Sequence, residues 1–188
     1  MSRKYKVFDI SKPYFVTSSI VSWIKIFNVY NITDILIESI KYCQLSKGLE
    51  IYAYVIMPDH FHMVCRSISY KTLSEIFRDL KKYTSRSIIK YLKENTNNTY
   101  SAWLDKFRID KNTHDLNEHY RLWQDGYNPK ELSSNKFIDQ KIDYIHNNPV
   151  KAGLVSKPDD YIYSSARNYS EKEGVIDVVV TYGRWVTY

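Results

Sequence analysis

Two histidines, His60 and His62, lie one residue apart in the stretch VIMPDHFHMV. Side chains alternate across a β-strand, so the two imidazoles share one face while Phe61, Met63 and Cys65 share the other. Two neutral imidazoles on one strand face lie close enough to bind a single divalent metal ion. They are also compatible with two ordinary polar residues on a solvated sheet face. Because two histidines do not complete a metal site, a further ligand must come from another part of the chain.

The last predicted helix offers the missing groups. Isoleucines at 138, 142 and 145 recur at helical spacing and predict the stripe that packs on the sheet. Tyr144 and Asn148 lie together about 100° round the helix from that stripe. An amide oxygen can bind a metal ion, and a phenol hydroxyl can attack an electrophile that the ion holds. The alternative is that Tyr144 is one packing or surface residue among 18 tyrosines and that Asn148, beside a proline, is a turn residue.

The apolar periodicity predicts the elements that position these residues. They are a strand at 14–21, a helix at 34–47, strands at 51–57 and 60–68, a helix from Leu73 to about Leu92, and a last helix that starts near Ser133 and Ser134. Asn31 or Thr33 is expected to cap the first helix and Gly48 to end it. Pro149 is expected to end the last helix, because proline disfavours helical geometry in the residue before it. Strands and helices interleave around a hairpin, which indicates the α+β class with a sheet covered by helices on one face.

Residues 1–188 are expected to form one domain, because this length is enough to bury one ordinary core. A polar stretch near 93–131 has no sustained period and is dense in Asn, Asp and Gly, so it is predicted to be mostly loop. The tail near 171–188 is predicted to add a strand or to cover the sheet. Aromatic residues of the loop region either stack on unpaired bases or anchor the loop to the core; they are Trp103, Tyr120, Trp123 and Tyr127.

The chain carries 27 Lys and Arg against 21 Asp and Glu. This excess favours nucleic acid first and anionic membrane surfaces second as partners, although many basic proteins bind neither. Four basic residues recur at every fourth position of the long helix and predict either a phosphate-binding ridge or a solvated face; they are Arg78, Lys82, Arg86 and Lys90. Arg66 shares the strand face of the histidines, and Lys151 lies just beyond the last helix. Both are candidate phosphate contacts.

Cys43 and Cys65 have neither the spacing of a metal site nor that of a disulfide framework, which suits a reducing compartment. The first residues, MSRKYKVFDISKP, lack the apolar core of a signal peptide. The stretch YFVTSSIVSWIKIF is too short and too polar to span a bilayer. We therefore expect a cytoplasmic protein that is not inserted in a membrane.

The stretch YVIMPDHFHMV, followed some eighty residues later by KFIDQKIDYIHNNPVKAGLV, resembles the single-tyrosine HUH transposases, especially the REP-associated tyrosine transposases of bacteria. The similarity runs from about residue 10 to residue 170, and the polar loop and the tail match less well. The resemblance implies a ferredoxin-like antiparallel sheet with helices packed on one face, as in HUH endonucleases. It also implies that His60 and His62 bind Mg²⁺ or Mn²⁺, that Asn148 completes the cation site, and that Tyr144 attacks single-stranded DNA.

The implied function is that of a transposase, a metal-dependent single-stranded DNA endonuclease and strand transferase that forms a 5′-phosphotyrosine on hairpin or repeat DNA. Imidazole ligands by themselves favour later transition metals, and the resemblance is what selects Mg²⁺ or Mn²⁺. Two alternatives are a DNA-binding protein that recognises repeat hairpins without cutting them and a metal-dependent hydrolase of small phosphoesters. A homodimer that shares the tyrosine helix and a monomer are both compatible with the sequence.

Overall fold

The computed structural model describes residues 12–109, 120–126 and 129–181. Four strands form one sheet: β1 (Tyr14–Ser19), β2 (Leu49–Met57), β3 (His60–Ser67) and β4 (Lys130–Glu131). The helices of the described ranges are α1 (Tyr30–Lys47), α2 (Leu73–Glu94), α3 (Asn98–Phe107), α4 (Asn135–Lys151) and α5 (Ala166–Tyr169). Short 3-10 turns lie at Val21–Trp23, Ile26–Asn28 and Pro158–Asp160.

The strand order is β2-β3-β1-β4, and every neighbouring pair is antiparallel. This is the strand order of a ferredoxin-like sheet, so the predicted α+β class and sheet type are confirmed. The central pair of strands places Thr17 opposite His62 and Ser19 opposite His60. The register between β1 and β3 therefore decides which side chains surround the histidines.

Local sequence signals explain where the elements form and end. β2 reads LEIYAYVIM and is buried at every position but one, as expected of a strand that is covered on both faces. Thr72 and Glu75 form a capping box at the start of α2, and the Ser134 hydroxyl caps α4 by accepting from the Phe137 amide. Gly48 ends α1 with a φ of 71°, a left-handed conformation that glycine adopts without strain.

Helices cover both faces of the sheet, which corrects the expectation of helices on one face only. α1 and α2 pack on the face that carries Phe61 and Met63. α4 packs on the opposite face, where its predicted isoleucine stripe meets Phe15 and Val64. The expectation was wrong because β2 is apolar on both faces, so the periodicity of α4 cannot decide which face it covers.

Two predicted helix boundaries are also wrong. α1 starts one turn earlier than expected, so that Asn31 and Thr33 lie inside it, and the buried Thr33 hydroxyl donates to the Phe27 carbonyl at 2.7 Å instead of capping the helix. α4 continues through Pro149 to its last turn. A proline there removes only one ladder hydrogen bond, and its ring is buried, so the helix tolerates it.

The polar stretch 93–131 contains more regular structure than predicted. Its first part forms α3, which buries Leu104 and Phe107, and its end forms β4, which pairs with β1. Residues 110–119 and 127–128 lie outside the described residues. The helix escaped prediction because its ten residues bury only a short apolar stripe.

Aromatic residues of this stretch hold it against the core. Trp123 is buried, and its Nε1 atom donates to the Thr84 hydroxyl on α2 at 3.0 Å. Trp103 and Tyr120 are partly buried against the same core. Tyr127 lies outside the described residues. For the other three, these contacts favour the anchoring alternative over base stacking.

The described part of the tail, residues 171–181, forms no strand. It covers the outer edge of the sheet instead, because Ile176 is buried in the core and the Val179 amide donates to the Ile51 carbonyl of β2 at 2.9 Å. Residues 182–188 lie outside the described residues. Across the described ranges, none of the helices has both the length and the apolar character needed to cross a membrane.

Candidate metal and nucleophile site

His60 and His62 lie at the start of β3, on the sheet face that α4 covers. Each imidazole is held through its Nδ1 atom: that of His60 lies 2.5 Å from Asp59 Oδ1, and that of His62 lies 2.8 Å from Thr17 Oγ1. The two ring centroids are 4.7 Å apart. With both Nδ1 atoms engaged, Nε2 is the atom that each ring can offer to a cation.

The turn between β2 and β3 is fixed by the main chain that follows β1. The Ile20 amide donates to the Asp59 carbonyl at 2.8 Å, and the Phe27 amide donates to the Pro58 carbonyl at 3.0 Å. The carbonyls of both turn residues therefore accept backbone hydrogen bonds. This arrangement fixes the carboxylate that orients His60 before any ligand arrives.

Burial keeps the second imidazole neutral. The side chain of His62 is 7% exposed. Burial first, and then the nearby charges of His60 and Lys141, lower the pKa of His62 to about 3. At neutral pH this ring carries a free lone pair, which is the state that metal binding requires.

Tyr144 packs against this pair within the same chain. Its ring centroid lies 5.3 Å from that of His62 and 6.0 Å from that of Phe15. Ile142 and Ile145 are buried against the sheet, so Tyr144 lies at the edge of the buried face of α4, between the core and solvent. The side chain is 38% exposed, so a substrate can reach it. The structure thus brings together the histidine pair and the phenol that the sequence singled out.

Two lysines of α4 lie close to the Tyr144 ring. Lys141 Nζ is 5.4 Å from its centroid and 4.9 Å from that of Phe15, and Lys151 Nζ is 5.8 Å from the Tyr144 centroid. Ammonium groups in such positions can attract a phosphate and stabilise negative charge that develops on a nearby oxygen. Lys151 was a predicted phosphate contact, whereas Lys141 was not predicted.

Asn148 lies one turn after Tyr144 on α4 and is partly exposed. In the described part of the chain its amide makes no hydrogen bond to either imidazole. No group of three His, Cys, Asp or Glu residues among those described could hold a metal ion. A cation would therefore rely on two imidazoles, the Asn148 amide, and oxygens from phosphate or water. The oxygen donors of this set suit Mg²⁺ or Mn²⁺, which bind with several non-protein oxygens, whereas the two imidazoles by themselves suit later transition metals.

Arg66 lies on the same strand face as the histidines but at the far end of β3. It is four residues from His62, about 13 Å at the usual rise of a strand. Its Nε atom lies 2.7 Å from Glu50 Oε1, and its guanidinium lies 5.9 Å from the centroid of the Tyr52 ring. The structure therefore places Arg66 in an ion pair away from the histidines.

The predicted basic ridge of α2 is exposed, but it lies on the other side of the molecule. α2 packs on the sheet face opposite to His60 and His62. Each ridge residue is solvent-exposed; they are Arg78, Lys82, Arg86 and Lys90. The outer members are paired, with Asp79 at 3.1 Å and Glu94 at 3.7 Å. The ridge and the histidine pair do not form one continuous surface.

Three residues that shape the site were not predicted from the sequence. Lys141 lies three positions before Tyr144, so helical spacing alone would have revealed it. Asp59 directly precedes His60 in the sequence, and its contact with that imidazole was not predicted. Thr17 could not have been found without the register between β1 and β3, which joins residues 45 positions apart.

A third histidine, His146, points to the other side of α4. Its Nε2 atom lies 2.9 Å from Ser165 Oγ, which in turn donates to the Tyr54 carbonyl at 3.2 Å. Its ring centroid is 4.8 Å from that of Tyr169. Burial lowers the pKa of His146 to about 4. This histidine links α4 to β2 and α5 and lies outside the candidate site.

A family model described as "Transposase IS200 like" matches residues 20–115. The match spans slightly more than half of the chain and includes the turn and strand that carry His60 and His62. It ends before α4, so Tyr144 and Asn148 lie outside the matched residues. No curated protein shows a significant sequence match.

Solved structures also resemble this chain. One is described as a REP-associated tyrosine transposase bound to a REP hairpin; it shares 18% identity with a TM-score of 0.64, and the match covers 100% of each chain. Another is a putative transposase from Deinococcus radiodurans R1, with 18% identity, a TM-score of 0.45, and coverage of 78% of this chain and 95% of that one. At this identity the first likeness supports the fold.

Proposed function

Because the chain belongs to the IS200-like transposase family, it is a DNA transposase, and we propose that it cuts and rejoins single-stranded DNA through a 5′-phosphotyrosine on Tyr144. The contact that supports this function most directly is the packing of the Tyr144 ring on His62, with centroids 5.3 Å apart. A nucleophile and two imidazole nitrogen donors then share one surface. The family match covers the histidines, and the geometry of α4 supports the tyrosine.

In the proposed reaction, the Tyr144 oxygen gives its proton to water and attacks the scissile phosphorus. The bond from phosphorus to the 3′ oxygen breaks, and that oxygen takes up a proton to become a free 3′-hydroxyl. The divalent cation, Mg²⁺ or Mn²⁺, supplies Lewis-acid chemistry at the phosphate when it is bound by His60, His62 and Asn148. Lys141 and Lys151 hold the phosphate near the phenol and stabilise its growing charge.

The phosphotyrosine conserves the phosphodiester bond energy. Strand transfer is the reverse attack by another 3′-hydroxyl, which releases Tyr144 and needs no nucleotide cofactor. Thr17 and Asp59 keep the two imidazoles oriented through both steps.

Hairpin DNA is the proposed form of the substrate. The protein with the similar fold was solved bound to a REP hairpin, and the likeness covers the whole of both chains. The present chain also carries a formal net charge of +6, which favours a polyanionic partner. Because DNA is the substrate, the cytoplasm is the proposed compartment.

A covalent-capture experiment tests the function. The protein is mixed with Mg²⁺ and a labelled oligonucleotide pool whose members carry a hairpin between randomised single strands, and the products are separated on a denaturing gel. We expect a protein–DNA adduct with the wild type, none with Tyr144→Phe, and none in EDTA. Tyr42→Phe is the matched control, because Tyr42 is exposed on α1 and should leave the adduct unchanged.

Other outcomes would identify the alternatives. Hairpin binding without an adduct would indicate a DNA-binding protein that does not cut. Turnover of small phosphoesters that persists in Tyr144→Phe would indicate a metal-dependent hydrolase. Either result would contradict the proposed strand-transfer function.

A further inference from the structure

Trp23 is an exposed aromatic residue next to the candidate site. Its side chain is 58% exposed, and its ring centroid lies 6.4 Å from that of His60 with the planes at 85°. Tryptophan is a costly residue to leave in water, because most of its surface is apolar. Trp23 is not one of the residues proposed to bind the cation, and it is not one of those proposed to act on the phosphate.

The backbone that presents Trp23 is strained. Ser22 and Trp23 have φ angles of 57° and 54°, in the left-handed region that side chains other than glycine seldom adopt. Strain of this kind persists only where the surroundings enforce it. Strained non-glycine residues cluster at ligand-binding sites.

Hydrogen bonds and buried neighbours enforce that conformation. The Val21 amide donates to the Leu122 carbonyl at 2.9 Å, and the Trp23 amide donates to the Ile20 carbonyl at 3.1 Å. Ile20 and Ile24 are buried on either side of the turn. The flanks are thus fixed in the core while the indole projects outward. Because Ile20 also bonds to the turn that orients His60, the indole and the histidine pair belong to one rigid unit.

We infer that Trp23 is a stacking platform for an unpaired nucleobase beside the scissile phosphate. Single-stranded nucleic acids are bound by exposed aromatic rings beside positive charge, since every base has a π-face. Lys25 is exposed two residues further on and supplies such a charge. The inference rests on the proposed function, because it takes the DNA backbone to lie at His60. It adds a base-binding position to a site that otherwise contacts only phosphate.

A binding experiment separates stacking on bases from contacts to phosphate. Two probes share one hairpin: the first carries single-stranded extensions of about eight thymidines on each side, a length within the range of single-strand binding sites, and the second carries abasic extensions with the same phosphates. All proteins carry Tyr144→Phe, so no adduct forms. The dissociation constant of each probe is measured by fluorescence anisotropy.

We expect the thymidine probe to bind more tightly than the abasic probe. Trp23→Ala should raise the dissociation constant of the thymidine probe by about fivefold or more and leave that of the abasic probe unchanged. Trp23→Phe, which keeps a smaller ring, should retain part of the preference. Tyr42→Ala, which removes an exposed aromatic ring of similar exposure on α1, should retain all of it.

Two outcomes would overturn the inference: equal weakening of both probes by Trp23→Ala, or no weakening of either. Trp23→Gly is the control for misfolding, because it removes the indole while allowing the positive φ. It should unfold no more readily than the parent protein. A wild type that forms no covalent adduct would contradict the proposed function, whereas the probe comparison reports on stacking alone. The two failures are therefore distinguishable.

Discussion

At the scale of single residues, the hydroxyl of Thr17 sets the orientation of His62. The 2.8 Å contact between Thr17 Oγ1 and His62 Nδ1 comes from β1, the strand paired with the one that carries the histidines. Partners of this kind fix the ring angle and tautomer of a ligand and so contribute to metal affinity. Asp59 does the same for His60 through a 2.5 Å contact.

Thr17→Val keeps the shape of the side chain and removes its hydroxyl. We expect Mn²⁺ to bind roughly tenfold or more weakly to this variant, because His62 loses the group that orients it. Isothermal titration with Mn²⁺ measures the change. Thr17→Ser keeps the hydroxyl and should bind Mn²⁺ like the wild type, and equal affinities for all three proteins would contradict a role for Thr17.

At the scale of secondary structure, α4 is held on the sheet partly by the half-buried His146. Burial lowers the folded-state pKa of His146 to about 4, against an ordinary value near 6.5. Between these two values the unfolded chain binds more protons than the folded one, so stability is lost as the pH falls through this window. His146 lies on α4, the helix that carries Tyr144.

His146→Gln keeps a donor for Ser165 and does not titrate. The free energy of unfolding of the wild type should fall between pH 7 and pH 4, and that of the variant should fall less. The difference between the two decreases should be at most about 3 kcal/mol. Urea denaturation at several pH values measures both. His62 titrates in both proteins, so it cancels in the comparison; parallel pH profiles would contradict the burial of a neutral His146.

A second prediction at this scale concerns Gly48, which ends α1. Gly48 has a φ of 71°, and a Cβ atom there would lie 2.6 Å from the Cβ of Ser69. Gly153 has a φ of 70° with no atom within 4 Å of the same position. Gly153→Ala should therefore cost only the strain, about 1 kcal/mol, and Gly48→Ala should cost clearly more. Thermal unfolding measures the stability that each variant loses. Equal losses would show that the contact with Ser69 relaxes freely.

Periodicity predicted much of this architecture. The alternation at His60 and His62 assigned both to one face, and the isoleucine stripe of α4 left Tyr144 at its shoulder. The sequence did not reveal that α4 covers the histidine face, because β2 is apolar on both sides. Nor did it reveal Thr17, whose contact depends on pairing between strands far apart in the chain. The alternation within one strand assigns side chains to faces but does not say which strand lies beside it.

At the scale of the whole molecule, positive charge lies on both sides of the sheet. The ridge of α2 lies on one side, while Lys141 and Lys151 lie beside Tyr144 on the other. Exposed charges more than a Debye length apart, about 8 Å in physiological salt, act almost independently. The two sets are therefore expected to have separate effects on DNA.

Charge changes on the two sides should separate these effects. Lys82→Glu with Arg86→Glu should leave adduct formation on a short single-stranded oligonucleotide unchanged, because both residues lie behind the sheet. Lys141→Gln with Lys151→Gln should slow it and reduce the salt dependence of binding by about 1.4 in the slope of log K against log salt, two phosphate contacts being lost. The oligonucleotide is one recovered from the captured pool. A strong effect of the α2 variant would show that the strand passes over that helix.

One polypeptide supplies both the imidazoles and the phenol, since the 5.3 Å contact between His62 and Tyr144 lies within a single chain. On the proposed mechanism, strand breakage is then first order in protein. Diluting the protein at saturating DNA should leave the rate per molecule constant, with no threshold at which subunits separate. An inactive Tyr144→Phe molecule mixed with an inactive histidine variant should not restore breakage by exchanging helices.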